Sequence, residues 1–237
     1  MIPIKINTQP DDETCGPTSL HAIYRFYGHD ITQGQVINEV QRSLSGGTLA
    51  PFLGLHALAN GFYVTIYVHN LRLFDPTWFG NRLNPNEFLI NKLRAHRQHH
   101  HDEHLLQASH AFEEFLKAGG KVEFPTLNRR LLRKYFNLNV PILTGLSATY
   151  LYETARERFT EEGEDIFDDI GGEPCGHFVV LCGYDSKMRS VVVADPHREN
   201  PISHDNYYKV PISRLINAIL LGVFTFDANL LIIHPKK

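Results

Sequence analysis

The chain has 237 residues, enough for one sizeable hydrophobic core or a core domain with a large insertion. Its 43% hydrophobic and 21% charged residues are those of an ordinary globular protein, and a net charge of −3 argues against a general nucleic-acid binder. No apolar run reaches the roughly 18 residues of a membrane span. "MIPIKINTQP" has no stretch of signal-peptide length, and three scattered cysteines make no disulfide framework, so a soluble cytoplasmic protein is expected.

Residues 15–27 read as a helix: Leu20, Ile23, Tyr24 and Tyr27 recur at helical spacing, and Gly28 is a C-terminal stop. Thr14 is the expected N-cap, and Pro17 falls in the first turn, where a missing N–H costs nothing. A second helix is expected over about 33–44, a short one in "PFLGLHALANG" and a strand in "FYVTIYVHN". Residues 71–137 are polar, charged and helical in period, and read as a helical insertion within a single domain spanning 1–237. From Val140 the pattern changes to strands: "VPILTGLS", then an acidic loop, then "HFVVLCGYD" and "VVVADP" as a hairpin around "DSKMRS". A helix in "VPISRLINAILLG" and a strand in "NLLIIHP" complete the chain, giving an α+β fold with helices early and strands late.

The candidate chemistry begins at Cys15, where the positive end of a helix dipole favours a thiolate nucleophile. Asp11, Asp12 and Glu13 work against that charge, so a cationic partner is required. The late hairpin supplies one. If its strands pair so that facing residues sum to roughly 372, His177 and Asp195 are neighbours at the open end, within reach of a carboxylate–imidazole hydrogen bond. The aspartate would then orient the imidazole. Gln9 offers an amide donor that, with the Cys15 backbone N–H, can face an oxyanion. Together these residues point to acyl transfer through a thioester.

Gln9, Cys15-Gly16-Pro17, Gly176-His177-Phe178 and Ala194-Asp195-Pro196 resemble the motifs of the bacteriocin-processing, double-glycine-leader cysteine peptidases of the papain-like superfamily. The resemblance covers about residues 4–60 and 140–235. It implies a papain-like fold in which the nucleophile's helix packs on an antiparallel sheet, with Cys15, His177, Asp195 and Gln9 as the catalytic set. It also implies a peptide or amide substrate and no cofactor or metal. The family's usual fusion to an export transporter has no counterpart here, and Cys15 and His177 stand 162 residues apart, so cleavage after a double glycine does not follow. Hydrolysis of a peptide or isopeptide bond is the leading expectation. The alternatives are transfer of the acyl group to an amine, as in transglutaminase-like enzymes, and a catalytically silent peptide-binding module.

Three further features have plainer readings. Cys175, two residues before His177, reads as a packed small residue able to approach Cys15, and Cys182 reads as core. "HRQHHHDEH" repeats histidines without a defined ligand set, so a solvated helix face is expected rather than a metal site. The eight carboxylates between Glu157 and Glu173 read as a solvated loop, with a substrate-selecting lid as the functional alternative.

Overall fold

In the computed structural model, which describes residues 1–159 and 165–236, helix α1 spans Cys15–Phe26 and every residue from Cys15 to Tyr24 is buried. Leu20, Ile23 and Tyr24 are each at most 1% exposed. Burial of side chains this large contributes roughly 1.5–3 kcal/mol apiece. The expected cap is corrected: Thr14 makes no side-chain cap, and its Oγ1 donates instead to Asp11 O at 3.1 Å, closing the acidic turn before the helix.

Helix α2 is Gln33–Glu39, opened by a capping box in which Thr32 and Gln35 satisfy each other's backbone donors. It stops short of the expected residue 44 because Val40 turns to extended backbone and enters the core. Helix α3 (Ala50–Ala59) and strand β1 (Phe62–Val68) follow as expected.

The 71–137 segment folds into α4 (Pro85–Arg97), α5 (Glu103–Lys117), strand β2 (Lys121–Glu123) and α6 (Arg129–Asn137). It is joined to the rest in two ways. Strand β2 pairs parallel with β1, and Leu89, Leu93, Leu105, Phe112 and Phe115 share one core with Leu20 and Ile23. The buried carboxylate of Glu113 ties α5 to α4 through Arg94 at 2.6 Å and through Arg97. The histidine run does not lie on one continuous helix, since α4 ends at Arg97 and α5 starts at Glu103. The His96 and His100 rings stack 4.1 Å apart, and among the described residues no group of three or more potential metal ligands occurs.

The remaining elements are β3 (Ile142–Ser147), α7 (Ala148–Tyr152), β4 (Glu157–Phe159), β5 (Asp165–Phe167), β6 (Gly176–Asp185), β7 (Ser190–Ala194), β8 (Tyr207–Pro211), α8 (Ile212–Leu221) and β9 (Asn229–Pro235). The acidic stretch is not wholly loop: β4 and β5 form a small hairpin, and Glu157 also bridges Glu173 backbone to backbone. Glu161, Glu162 and Glu164 lie outside the described residues.

A seven-stranded sheet runs β2-β1-β9-β3-β6-β7-β8, antiparallel except at β1–β2. Its central strands are buried on both faces, and alternate residues serve opposite cores. Phe178, Val180 and Cys182 of β6 pack with α1, α3 and α5, whereas Val179 and Leu181 pack with Leu132 of α6 and Leu215 and Ile219 of α8. The fold is therefore α+β, with the cysteine-bearing α1 packed on an antiparallel sheet and helices on both sides. Among the described residues no helix is long and apolar enough to cross a membrane.

Candidate active site

Cys15 is the first residue of α1, and close packing and a hydrogen bond fix the position of that helix end. Gly16 lies so tightly against its neighbours that a Cβ there would meet Thr48 Cγ2 at 2.4 Å and Leu53 at 3.3 Å. Ser19 Oγ donates to Phe178 O at 3.1 Å, pinning the helix to β6 one residue beyond His177. Pro17 has no N–H to satisfy in the first turn, so the helix starts without a side-chain cap. Cys15 itself is buried to 8% exposure, and it lies close enough to His177 to raise the pKa of that ring.

His177 and Asp195 are in contact, with His177 Nε2 donating to Asp195 Oδ1 at 2.8 Å. The route differs from the expected face-to-face pairing. The pairs are Leu181↔Val193 and Val180↔Ala194 on one side of a bulge at Cys182, and Gly183↔Val192 on the other. Continuing that register sets Asp195 across from Val179, two residues from His177. The contact is thus diagonal, a span that long side chains cover. Asp195 has already left β7, and its N–H donates to Asn206 O at 2.8 Å.

With Nε2 committed to Asp195, Nδ1 is the ring nitrogen left for the sulfur. Burial works to strip the charge from His177, but the Asp195 carboxylate and then Cys15 outweigh it, holding the imidazolium well above the ordinary histidine range. Burial likewise works to protonate Asp195, and the charge of His177 together with hydrogen bonds from His177, Tyr208 and Tyr152 holds it below the usual carboxylate range.

Gln9 is placed by its backbone, whose N–H donates to Pro196 O at 2.9 Å, next to Asp195. Its Nε2 donates to Asp11 O at 2.9 Å, which leaves one amide hydrogen over, and its Oε1 is buried with no partner among the described residues. Cys175 also lies in this neighbourhood. Burial first, then the charge of Glu157, pushes its thiol far above the ordinary range, and Cys15 and Asp227 add to the effect. Cys182 is core, its thiol pushed up to about 12 by burial.

Sequence reasoning missed the surroundings of Asp195. Tyr152 Oη and Tyr208 Oη donate to its Oδ2 at 2.7 and 2.5 Å, and His197 N–H donates to Oδ1 at 2.8 Å. It also missed Asp227, a buried carboxyl whose Oδ2 would lie 2.0 Å from a Cβ at Gly176. Both tyrosines belong to elements, α7 and β8, that the sequence pattern did not reveal.

A family model described as Peptidase_C39 like family matches residues 1–217. A solved structure described as a C39-like peptidase from Bacillus anthracis superposes with a TM-score of 0.46 at 16% identity, covering 100% of this chain and 97% of that one. Xylellain, a cysteine protease from Xylella fastidiosa, superposes with a TM-score of 0.44 at 14% identity, covering 100% of this chain and 85% of that one. No curated protein matches the sequence.

Proposed function

The chain belongs to the Peptidase_C39-like family, and from that membership we propose that it is a cysteine peptidase that hydrolyses a peptide or isopeptide bond through a thioester on Cys15. One observation carries the reading: the imidazole of His177, near Cys15, is hydrogen-bonded at 2.8 Å to a carboxylate with no exposed surface. A thiol, a base beside it and a carboxylate that orients the base are the parts such a reaction needs.

In this mechanism the thiol proton already rests on His177 Nδ1 as a thiolate–imidazolium pair, and the thiolate attacks the substrate carbonyl. The resulting oxyanion is met by the N–H of Cys15, which no side chain caps, and by the remaining amide hydrogen of Gln9. Collapse of the tetrahedral intermediate breaks the C–N bond. The imidazolium protonates the departing amine and leaves the acyl group as a thioester. Water then attacks that thioester, with His177 taking its proton, and the acid departs. Asp195 remains an anion throughout, stabilising the charged ring and fixing its tautomer.

The test is incubation with a mixed peptide pool, with and without an added primary amine, read by mass spectrometry. New peptide termini that vanish in Cys15→Ala and His177→Ala are expected. Products carrying the amine in place of water would replace hydrolysis with acyl transfer. A pool left unchanged, with no acyl group trapped on Cys15, would overturn the enzyme and leave a binding module.

A further inference from the structure

Asp195 has no exposed surface, and its carboxylate accepts four hydrogen bonds, two on each oxygen. A carboxylate offers about four acceptor positions, so none is left over. The donors arrive from separate elements: His177 from β6, Tyr152 from α7, Tyr208 from β8, and His197 N–H from the loop that Asp195 itself begins. We propose that Tyr152 and Tyr208 are positioning residues of the reaction, clamping Oδ2 so that Asp195 presents a single oxygen, as an anion, to His177. This rests on the peptidase reading above, because it assigns the phenols a part in the same thiol–imidazole chemistry.

The geometry gives the clamp two consequences. A carboxylate held by one oxygen alone can rotate about its last bond, and the imidazole it holds rotates with it. Two phenols on Oδ2 remove that freedom, leaving Oδ1 shared between the ring and the His197 N–H. The second consequence concerns charge. Water has no access to a group with zero exposure, so the carboxylate depends on protein donors to stay ionised. The phenols are dependable donors. Burial, and after it the Asp195 charge, holds both hydroxyls protonated far above the ordinary tyrosine range.

The groups facing Asp195 are His177, Tyr152, Tyr208 and His197. Arg214 of α8 acts on Tyr208, Asp12 and Glu199 act on His197, and Cys15 acts on His177. Of these direct contacts, only the phenols donate to Oδ2. Loss of either leaves a buried acceptor position empty, which makes the carboxylate easier to protonate. Protonated Asp195 no longer supports the imidazolium, so the acid limb of activity moves to higher pH.

Tyr152→Phe and Tyr208→Phe keep the ring and remove only the donor. Two readouts are taken across the pH range, kcat/KM on a cleaved peptide and the rate of Cys15 alkylation by iodoacetamide, with thermal melts to follow folding. Each variant is expected to shift the acid limb of both profiles upward by about half to one pH unit. The expected fall in kcat/KM is roughly tenfold, carried by kcat with KM little changed. Variants that melt earlier but keep the wild-type acid limb would show a purely structural role and overturn the proposal. The alkylation arm separates this failure from the wider one. If wild-type Cys15 reacts no faster than in His177→Ala at any pH, the thiol–imidazole pair is absent and both readings fall. If that dependence is present and the phenylalanine variants share it unchanged, only the clamp falls.

Discussion

Asp195 holds His177 and the His197 backbone N–H on the same oxygen, Oδ1, each at 2.8 Å. Because a backbone N–H can only donate, it forces an acceptor at that position whatever the side chain there. Asp195→Asn is therefore expected to seat its carbonyl oxygen at Oδ1 and its NH₂ against the hydroxyl oxygens of Tyr152 and Tyr208, which can accept. The imidazole keeps the tautomer that donates from Nε2 and loses only the charge beside it. Peptidase activity in Asp195→Asn should stand about ten- to a hundredfold above that in Asp195→Ala, which loses orientation as well. Equal kcat/KM values for the two variants would show that the backbone donor does not fix the tautomer.

The part of this site visible in the sequence is the part set by local pattern. Cys15 falls at the start of an apolar helical stripe, and His177 opens a run too apolar to be anything but a buried strand. Their partnership with Asp195 was legible only as a hairpin with assumed register. The pairs beside the turn, such as Asp185↔Ser190, already depart from that register, and the extra residue at Cys182 moves the later pairs back by one only. Nothing in "HFVVLCGYD" marks either, because turn and bulge are set by how the strands twist and pair. Tyr152 and Tyr208 were invisible for a different reason. One sits in a five-residue helix and the other in a five-residue strand, too short for a periodic signal, and both reach Asp195 only once the sheet has closed. Strand β2 has three residues, which is why residues 71–137 read as helical throughout.

Gly16 makes a sharper test of how α1 is held than any large side chain. A methyl group there meets Thr48 Cγ2 at 2.4 Å, and Thr48 cannot simply turn away because its Oγ1 is bonded to Gln41 O at 3.0 Å. Threonine is also stiff at χ1. Gly16→Ala should destabilise the fold by about 1–3 kcal/mol, the usual cost of overpacking. The strain falls one residue from Cys15, so on the proposed mechanism kcat should drop at temperatures where the variant remains folded. Circular-dichroism melts, in which roughly 2–4 °C of midpoint is lost per kcal/mol, paired with activity measured well below the variant's own midpoint would test this. An unchanged midpoint would mean that α1 is free to shift.

Asp227 predicts how stability depends on pH. Its carboxyl is buried at 6% exposure beneath Gly176, and burial pushes its pKa up to about 8, with a hydrogen bond from Thr225 and the charge of His177 only partly opposing. In the unfolded chain the same group titrates near 3.8. Between these values the folded protein keeps a proton that the unfolded chain has released, so raising the pH favours unfolding. The loss approaches 1.4 kcal/mol per pH unit and totals on the order of 5 kcal/mol at most. His177 contributes in the same direction: its raised pKa gives stability that is fully present below about 6.5 and is lost as pH climbs through the folded value. The two are separable by Asp227→Asn, which keeps the shape and removes the titration. Urea unfolding at intervals from pH 4.5 to 8 should show wild type losing stability relative to Asp227→Asn throughout that window, with the gap widest at the alkaline end. A constant difference across the range would mean that Asp227 ionises in the folded protein as readily as it does in the unfolded chain.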